Sequence, residues 1–274
     1  MAVTERNIAR RRKNAAESFT IDPARQRYTF LSQRPLHVLV FLLPLIVIFE
    51  IGASTTHSGQ TVKAQRELWE FFEWFGAGGM HVPAILTVVV LLIWHILSAD
   101  RWRVRGRVLA GMAFESAAWT APLLVLALLL ARVLGIEQTT ARAAMAVLGQ
   151  DTGGGPALPL PSWFNSLSMA LGAGVYEEVL FRLIGLALVH IAVVDVGGLS
   201  DRMGKVIGVV VTSALFSVYH DSVLPAGGGV DWPTAMYYFA AGVYFSVVYL
   251  ARGLGIAVGV HALYDAVILL RPLG

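Results

Sequence analysis

The chain has 274 residues, of which 56% are hydrophobic and only 14% charged, against roughly 45–50% and 25% in soluble domains. Its 21 basic and 18 acidic side chains cannot cover a water-soluble globule of this size. Disorder, a coiled coil and a disulfide scaffold are excluded as well, the last because there is no cysteine. Thiol catalysis and Cys-based zinc or iron–sulfur sites go with it, and a net charge of +3 is too weak to argue for a nucleic-acid partner. What remains is an all-α, polytopic membrane protein whose first partner is the lipid bilayer.

A spanning helix needs about 20 mostly apolar residues. In chain order the candidates are 36–55, 81–98, 109–134, 165–194, 205–220, 234–250 and 254–270, which predicts a bundle of about seven transmembrane helices. The fifth and sixth read as short, and the fourth is longer than a span requires. No charged-then-apolar leader with a small-residue cleavage site comes first, so 36–55 reads as a retained helix and not a signal peptide. Residues 1–34 form a basic tail, expected to act as an anionic-lipid and topology anchor. Residues 35–148 hold the amino-terminal helices, and 57–80 include an acidic–aromatic amphipathic stretch suited to the interface. The run GQDTGGGPALPLP at 149–161 reads as a loop, and 162–274 form a second transmembrane core.

The basic residues orient this arrangement. Fifteen fall on one side: the tail from Arg6 to Arg34, then Arg101, Arg103, Arg105, Arg107, Arg202, Lys205 and Arg252. Five fall on the other: Lys63, Arg66, Arg132, Arg142 and Arg271. By the positive-inside rule the amino-terminus is cytoplasmic, and with seven spans the carboxy-terminus is outside. A cysteine-free, Ala/Gly/Val-rich membrane domain suits a bacterial inner membrane. Nothing in the sequence assigns an oligomeric state.

An ionisable side chain at the centre of a membrane costs at least about 2.5–3.5 kcal/mol on insertion scales. Glu50, His95 and Glu115 in the first half, and His37, His57, His81 and His190, fall near span ends or in loops, where interfacial placement accounts for them. The second half differs. Glu177, Glu178 and Arg182 share one apolar run. Glu178 and Arg182 are four apart with the acid first, the favourable order for a helical ion pair, while Glu177 points about 100° away from Glu178. His220 ends the run VVVTSALFSVYH, one turn after Phe216. His261 and Asp265 lie four apart on one face of the last span. Such a set on three helices is hard to explain by packing.

HExxH and GxSxG are both absent, and no serine is marked as a nucleophile. The groups present suit general acid–base hydrolysis, in which a glutamate and a histidine activate water and other polar groups hold the oxyanion. No cofactor is expected. Two histidines and a glutamate can also bind zinc, which stays as a minority alternative.

EEVLFR at 177–182, FSVYH at 216–220 and HALYD at 261–265 resemble the three ordered motifs EExxxR, FxxxH and HxxxN/D of the CAAX proteases and bacteriocin-processing enzymes, the CPBP intramembrane peptidases. The resemblance covers about residues 165–270. It implies a glutamic-type intramembrane endopeptidase acting on a membrane-anchored protein or peptide tail, with Glu177 and His220 activating the water. It implies that His261 and the residue at 265 form the oxyanion site, with Glu178 and Arg182, and Phe216 of the second motif, in support. Leu183 stands where glycine is frequent, and Asp265 where asparagine is common. An ionised aspartate accepts hydrogen bonds only and repels an oxyanion. Asp265 then acts either protonated, as a donor, or ionised, fixing the tautomer of His261; the second reading is preferred.

Two other classes stay open. A proton-coupled transporter also buries Glu, His and Arg, although the paired interrupted helices of inverted repeats are missing. A non-catalytic scaffold of the same fold is the other. Flux driven by a pH gradient and hydrolysis of a labelled tail separate the three. A peptidase of prenylated tails should open to the cytoplasm, yet His220 falls at the outer end of its helix.

Overall fold

The computed structural model describes residues 23–55, 79, 81–135, 161–225 and 228–270, together with 63, 68, 70, 71 and 73. Residues 149–160 of the loop expected at 149–161, residues 1–22 of the basic tail and most of 57–80 lie outside the described residues. Among the described residues there are helices and no strands. In chain order the helices are α1 Pro23–Ser32, α2 Pro35–Thr55, α3 Val82–Leu97 and α4 Gly106–Leu134, then α5 from Ser162, α6 Asp201–Tyr219, α7 Trp232–Arg252 and α8 Leu254–Leu269. The α5 rod is α-helical over Ser162–Glu178 and continues unbroken through π-helical turns at Val179–Gly185, an α-turn at Leu186–His190 and a second π-stretch at Ile191–Val196.

Five helices, among them the 34 residues Trp163–Val196 of α5, are long and apolar enough to cross a membrane; Val82–Leu97 and Leu254–Leu269 are apolar but shorter. Helices of this length and apolarity suit an integral membrane protein. The seven expected spans are thus all present as helices, but the short ones are not those read from sequence. α6 and α7 gain their first turns from polar residues that an apolar count omits. Ser200 caps α6 by accepting from the Met203 N–H at 3.3 Å, and Asp231 caps α7 by accepting from Thr234 N–H at 3.2 Å. A further helix, α1, forms within the segment read as tail.

α8 is the shared wall of two apolar cores. One gathers α2, α3, α5 and α8 around Phe49, Leu91, Val175 and Val258. The other gathers α4, α6, α7 and α8 around Met112, Phe216, Phe245 and Ile256. Every residue from Leu254 to Ala262 is buried, and small residues make that possible. A Cβ at Gly259 would lie 2.3 Å from Ser116 Oγ on α4, and one at Gly174 of α5 would lie 2.7 Å from the Ala262 nitrogen. Backbone contact this close is the usual way membrane helices pack, because lipid provides no hydrophobic drive between them. The opposite faces of the bundle show Phe114, Val133, Leu188 and Val206 to the surroundings.

Helices consecutive in the chain alternate in direction, and the two ends differ. At one end Arg34 pairs with Asp100 at 2.9 Å, the Arg105 N–H donates to His37 Nε2 at 3.3 Å and Gln33 donates to the Ala251 carbonyl at 3.2 Å. Nearby, Arg252 binds Glu115, which also accepts from the Tyr28 hydroxyl at 2.7 Å, fastening α1 to α4 and α7. Gly253, at φ +82°, turns the chain there from α7 into α8. At the other end Glu50 binds His81 and accepts from the Tyr176 hydroxyl at 2.7 Å. There Lys63 donates to the Tyr219 carbonyl at 2.6 Å and to Asp221 at 2.5 Å. His37 and His95 lie near helix ends, and both are buried against protein, His95 edge-on to the Trp102 ring at 4.4 Å.

Candidate active site

α5 reaches its two glutamates where α8 comes closest. The Gly174–Ala262 contact draws the backbones together, so that one turn further along α5 its side chains meet those of His261. His261 Nδ1–H donates to Glu178 Oε1 at 2.8 Å. Arg182 Nη1 lies 3.2 Å from the same Glu178 oxygen, and its Nη2 donates to the Gly242 carbonyl of α7 at 3.0 Å. Both Glu178 and Arg182 are wholly buried. The paired charges, the hydrogen bond to the imidazole and the backbone carbonyl compensate these buried ions in part, while Arg182 Nε and Nη1 and Glu178 Oε2 have no hydrogen-bond partner among the described residues.

The π-helical turns begin at Val179, directly after Glu178, and hold Arg182 in their middle. Such turns insert a residue into the helical register and recur at functional sites. Here the widened turn lies where α5 presents the ion pair to α7 and α8.

The other face of the His261 ring is turned to two more carboxylates. Its Nε2 lies 3.8 Å from Glu177 Oε2 and 3.5 Å from Asp265 Oδ2. Glu177 Oε2 and Glu178 Oε2 are buried and have no hydrogen-bond partner among the described residues. The ring itself stacks on Phe245 at 4.3 Å and 16°. Three carboxylates therefore surround one imidazole, one at Nδ1 and two at Nε2.

His220 caps the end of α6. Its Nδ1–H donates to the Phe216 carbonyl at 2.7 Å, which in the neutral ring leaves Nε2 with a free lone pair. Tyr238 of α7 stacks on its face at 3.7 Å and 17°. Phe216 links the two histidines: its ring centre is 4.8 Å from that of His220 and 6.0 Å from that of His261, and the Arg182 guanidinium lies 4.5 Å over it.

Of the residues singled out in the sequence, Glu177, Glu178, Arg182, His261 and Asp265 share one cluster. Phe216 joins that cluster to His220. The pairing of Glu178 with Arg182 is present, but the Nδ1 partner of His261 is Glu178, where the sequence favoured Asp265 as the group fixing its tautomer. Separation in sequence hid this, since 83 residues divide the pair. Phe245, Tyr238 and the Gly242 carbonyl were also missed. They lie in an ordinary apolar helix, and no spacing rule singles them out. Among the described residues no group of three or more His, Asp or Glu is arranged as a metal site.

Residues 159–267 match the family model described as type II CAAX prenyl endopeptidase, Rce1-like. The match runs from the start of α5 almost to the end of α8 and includes all three motifs. No curated protein and no solved structure matches the chain.

Proposed function

We propose, from the match of residues 159–267 to the Rce1-like CAAX prenyl endopeptidase family model, that this chain is a glutamic-type intramembrane endopeptidase. Its substrate is a membrane-anchored protein or peptide tail. The membrane is a bacterial inner membrane, with the amino-terminus in the cytoplasm. The observation that carries the reading is the buried meeting of Glu177, Glu178, Arg182, His261 and Asp265 between α5 and α8, inside the matched region.

The chemistry follows from the geometry. Glu177 has a buried oxygen with no hydrogen-bond partner among the described residues and serves as the base for water. His220, with Nε2 free to accept, shares that water. As the water oxygen bonds to the scissile carbonyl carbon, its proton passes to Glu177 and later to the departing amine nitrogen, so that the C–N bond breaks and an acid and an amine result. His261, held by Glu178 and Phe245, faces the developing oxyanion. Arg182 and Glu178 fix the ring and the helix from below. No resident metal is invoked, because Glu178 is already matched by Arg182 and His261.

The test is hydrolysis of a labelled, membrane-anchored peptide tail by the purified protein in lipid. Glu177→Gln, which keeps the side-chain volume and removes the base, should be inactive while unfolding at an unchanged temperature. Hydrolysis by Glu177→Gln at the wild-type rate overturns the mechanism.

A further inference from the structure

The catalytic cluster is not symmetric with respect to the two ends of the bundle. Side-chain exposure is 0% at Arg182 and Glu178, 5% at His261, 9% at Glu177 and 24% at Asp265. Along α8, Asp265 is one turn beyond His261 in the direction away from Gly253. The cluster therefore closes toward the end that holds Arg34, Arg105 and Arg252, and opens toward the other. His220 lies at that open side, capping the end of α6, and the next side chain, Asp221, is 73% exposed. Lys63, in ion pair with Asp221, stands at the same rim.

The closed end is also the basic end. Arg34, Arg101, Arg103, Arg105 and Arg252 belong to the connections there, whereas the described cations at the open end are Arg132 in the last turn of α4 and Lys63, whose charge Asp221 offsets. Lys and Arg collect on the cytoplasmic side because they resist translocation. Two independent observations, the direction in which the cluster opens and the distribution of cations, thus bear on one question.

We infer that the site opens on the non-cytoplasmic face of the membrane, and that its substrate class is the membrane-anchored tail of an exported protein or peptide. The second half of this statement rests on the peptidase reading; the first does not. A peptide bond must come within hydrogen-bond reach of Glu177, and the route the fold leaves passes His220 and Asp265. A tail confined to the cytoplasm would have to enter past the buried Glu178–Arg182 pair.

The absence of cysteine makes the test direct. Single cysteines are placed in the full chain at Asp221 and at the exposed Leu224 in the α6–α7 connection, and at the exposed Arg103 in the α3–α4 connection. A membrane-impermeant maleimide is applied to bacterial spheroplasts and to inverted membrane vesicles. Asp221→Cys and Leu224→Cys should label in spheroplasts and lose labelling in inverted vesicles, with Arg103→Cys reversed. Leu224→Cys leaves the Lys63 pair untouched, so the result does not depend on one variant folding. Labelling of Leu224→Cys only in inverted vesicles, or equally in both, overturns the inference. In the same cells, one reporter tail is anchored to face outward and another to face the cytoplasm. Cleavage of the outward tail alone, lost in Glu177→Gln, supports the substrate class, and cleavage of the inward one overturns it. Outward labelling with neither tail cut contradicts the peptidase reading and leaves the orientation standing.

Discussion

Glu178 and His261, 83 residues apart in the chain, are joined by a hydrogen bond of 2.8 Å between Oε1 and Nδ1. The same carboxylate faces Arg182 at 3.2 Å. One buried side chain thus balances a guanidinium and sets the orientation of the ring proposed to hold the oxyanion.

Glu178→Gln should therefore lose both stability and activity. Removing one partner of a buried pair typically costs about 3–5 kcal/mol, since Arg182 is left with an uncompensated charge. The ion pair with Arg182 accounts for the loss of stability, and the bond to His261 adds the loss of turnover. Denaturation in detergent and the tail-hydrolysis assay read the two effects separately. A variant as stable and active as wild type contradicts the double role.

Asp265→Asn should be tolerated. Asp265 lies 3.5 Å from Nε2, while Nδ1 is already bound by Glu178, so the ring keeps its orientation without a carboxylate at 265. Turnover should stay within about tenfold of wild type, or about 1.4 kcal/mol in the barrier. A larger fall would return the orienting role to Asp265.

Gly174→Ala should reduce turnover from a position that touches no reacting group. Its Cβ would meet the Ala262 backbone nitrogen at 2.7 Å, and backbone cannot rotate away as a side chain can. Overpacking of this kind costs about 1–3 kcal/mol, and relief by separating α5 from α8 lengthens the Glu178–His261 bond. The hydrolysis rate and the unfolding midpoint should fall together.

Tyr238 should matter through its ring and not its hydroxyl. The stack on His220 at 3.7 Å limits rotation of the imidazole about Cβ–Cγ and so keeps its bond to the Phe216 carbonyl. Tyr238→Phe should retain turnover. Tyr238→Ala should lose the stacking, worth about 0.5–1.5 kcal/mol, and lower kcat more than it raises KM.

Metal removal distinguishes the glutamic mechanism from the zinc alternative. Dialysis of the purified protein against a strong chelator should leave hydrolysis unchanged. Activity lost on chelation and restored by zinc would replace the proposed base with a metal-bound water.

Much of this was legible in the sequence for one reason: lipid tolerates neither unpaired backbone nor unpaired charge. Apolar runs of spanning length therefore marked the helices, and ionisable residues within them stood out as Glu177, Glu178, Arg182, His261 and Asp265. The i,i+4 pair of Glu178 and Arg182 followed from helical geometry alone. Helix ends were less legible, since caps such as Ser200 and Asp231 extend α6 and α7 through polar turns. What only the tertiary structure decided is which helix faces which. That choice depends on close approach at small residues such as Gly174 and Gly259, and their spacing does not name their partner. It brought Glu178 to His261, Tyr238 to His220 and Gly242 to Arg182. It also turned the exposed side of the cluster away from the basic end, because direction in a packed bundle is a property of neighbouring helices and of no single segment.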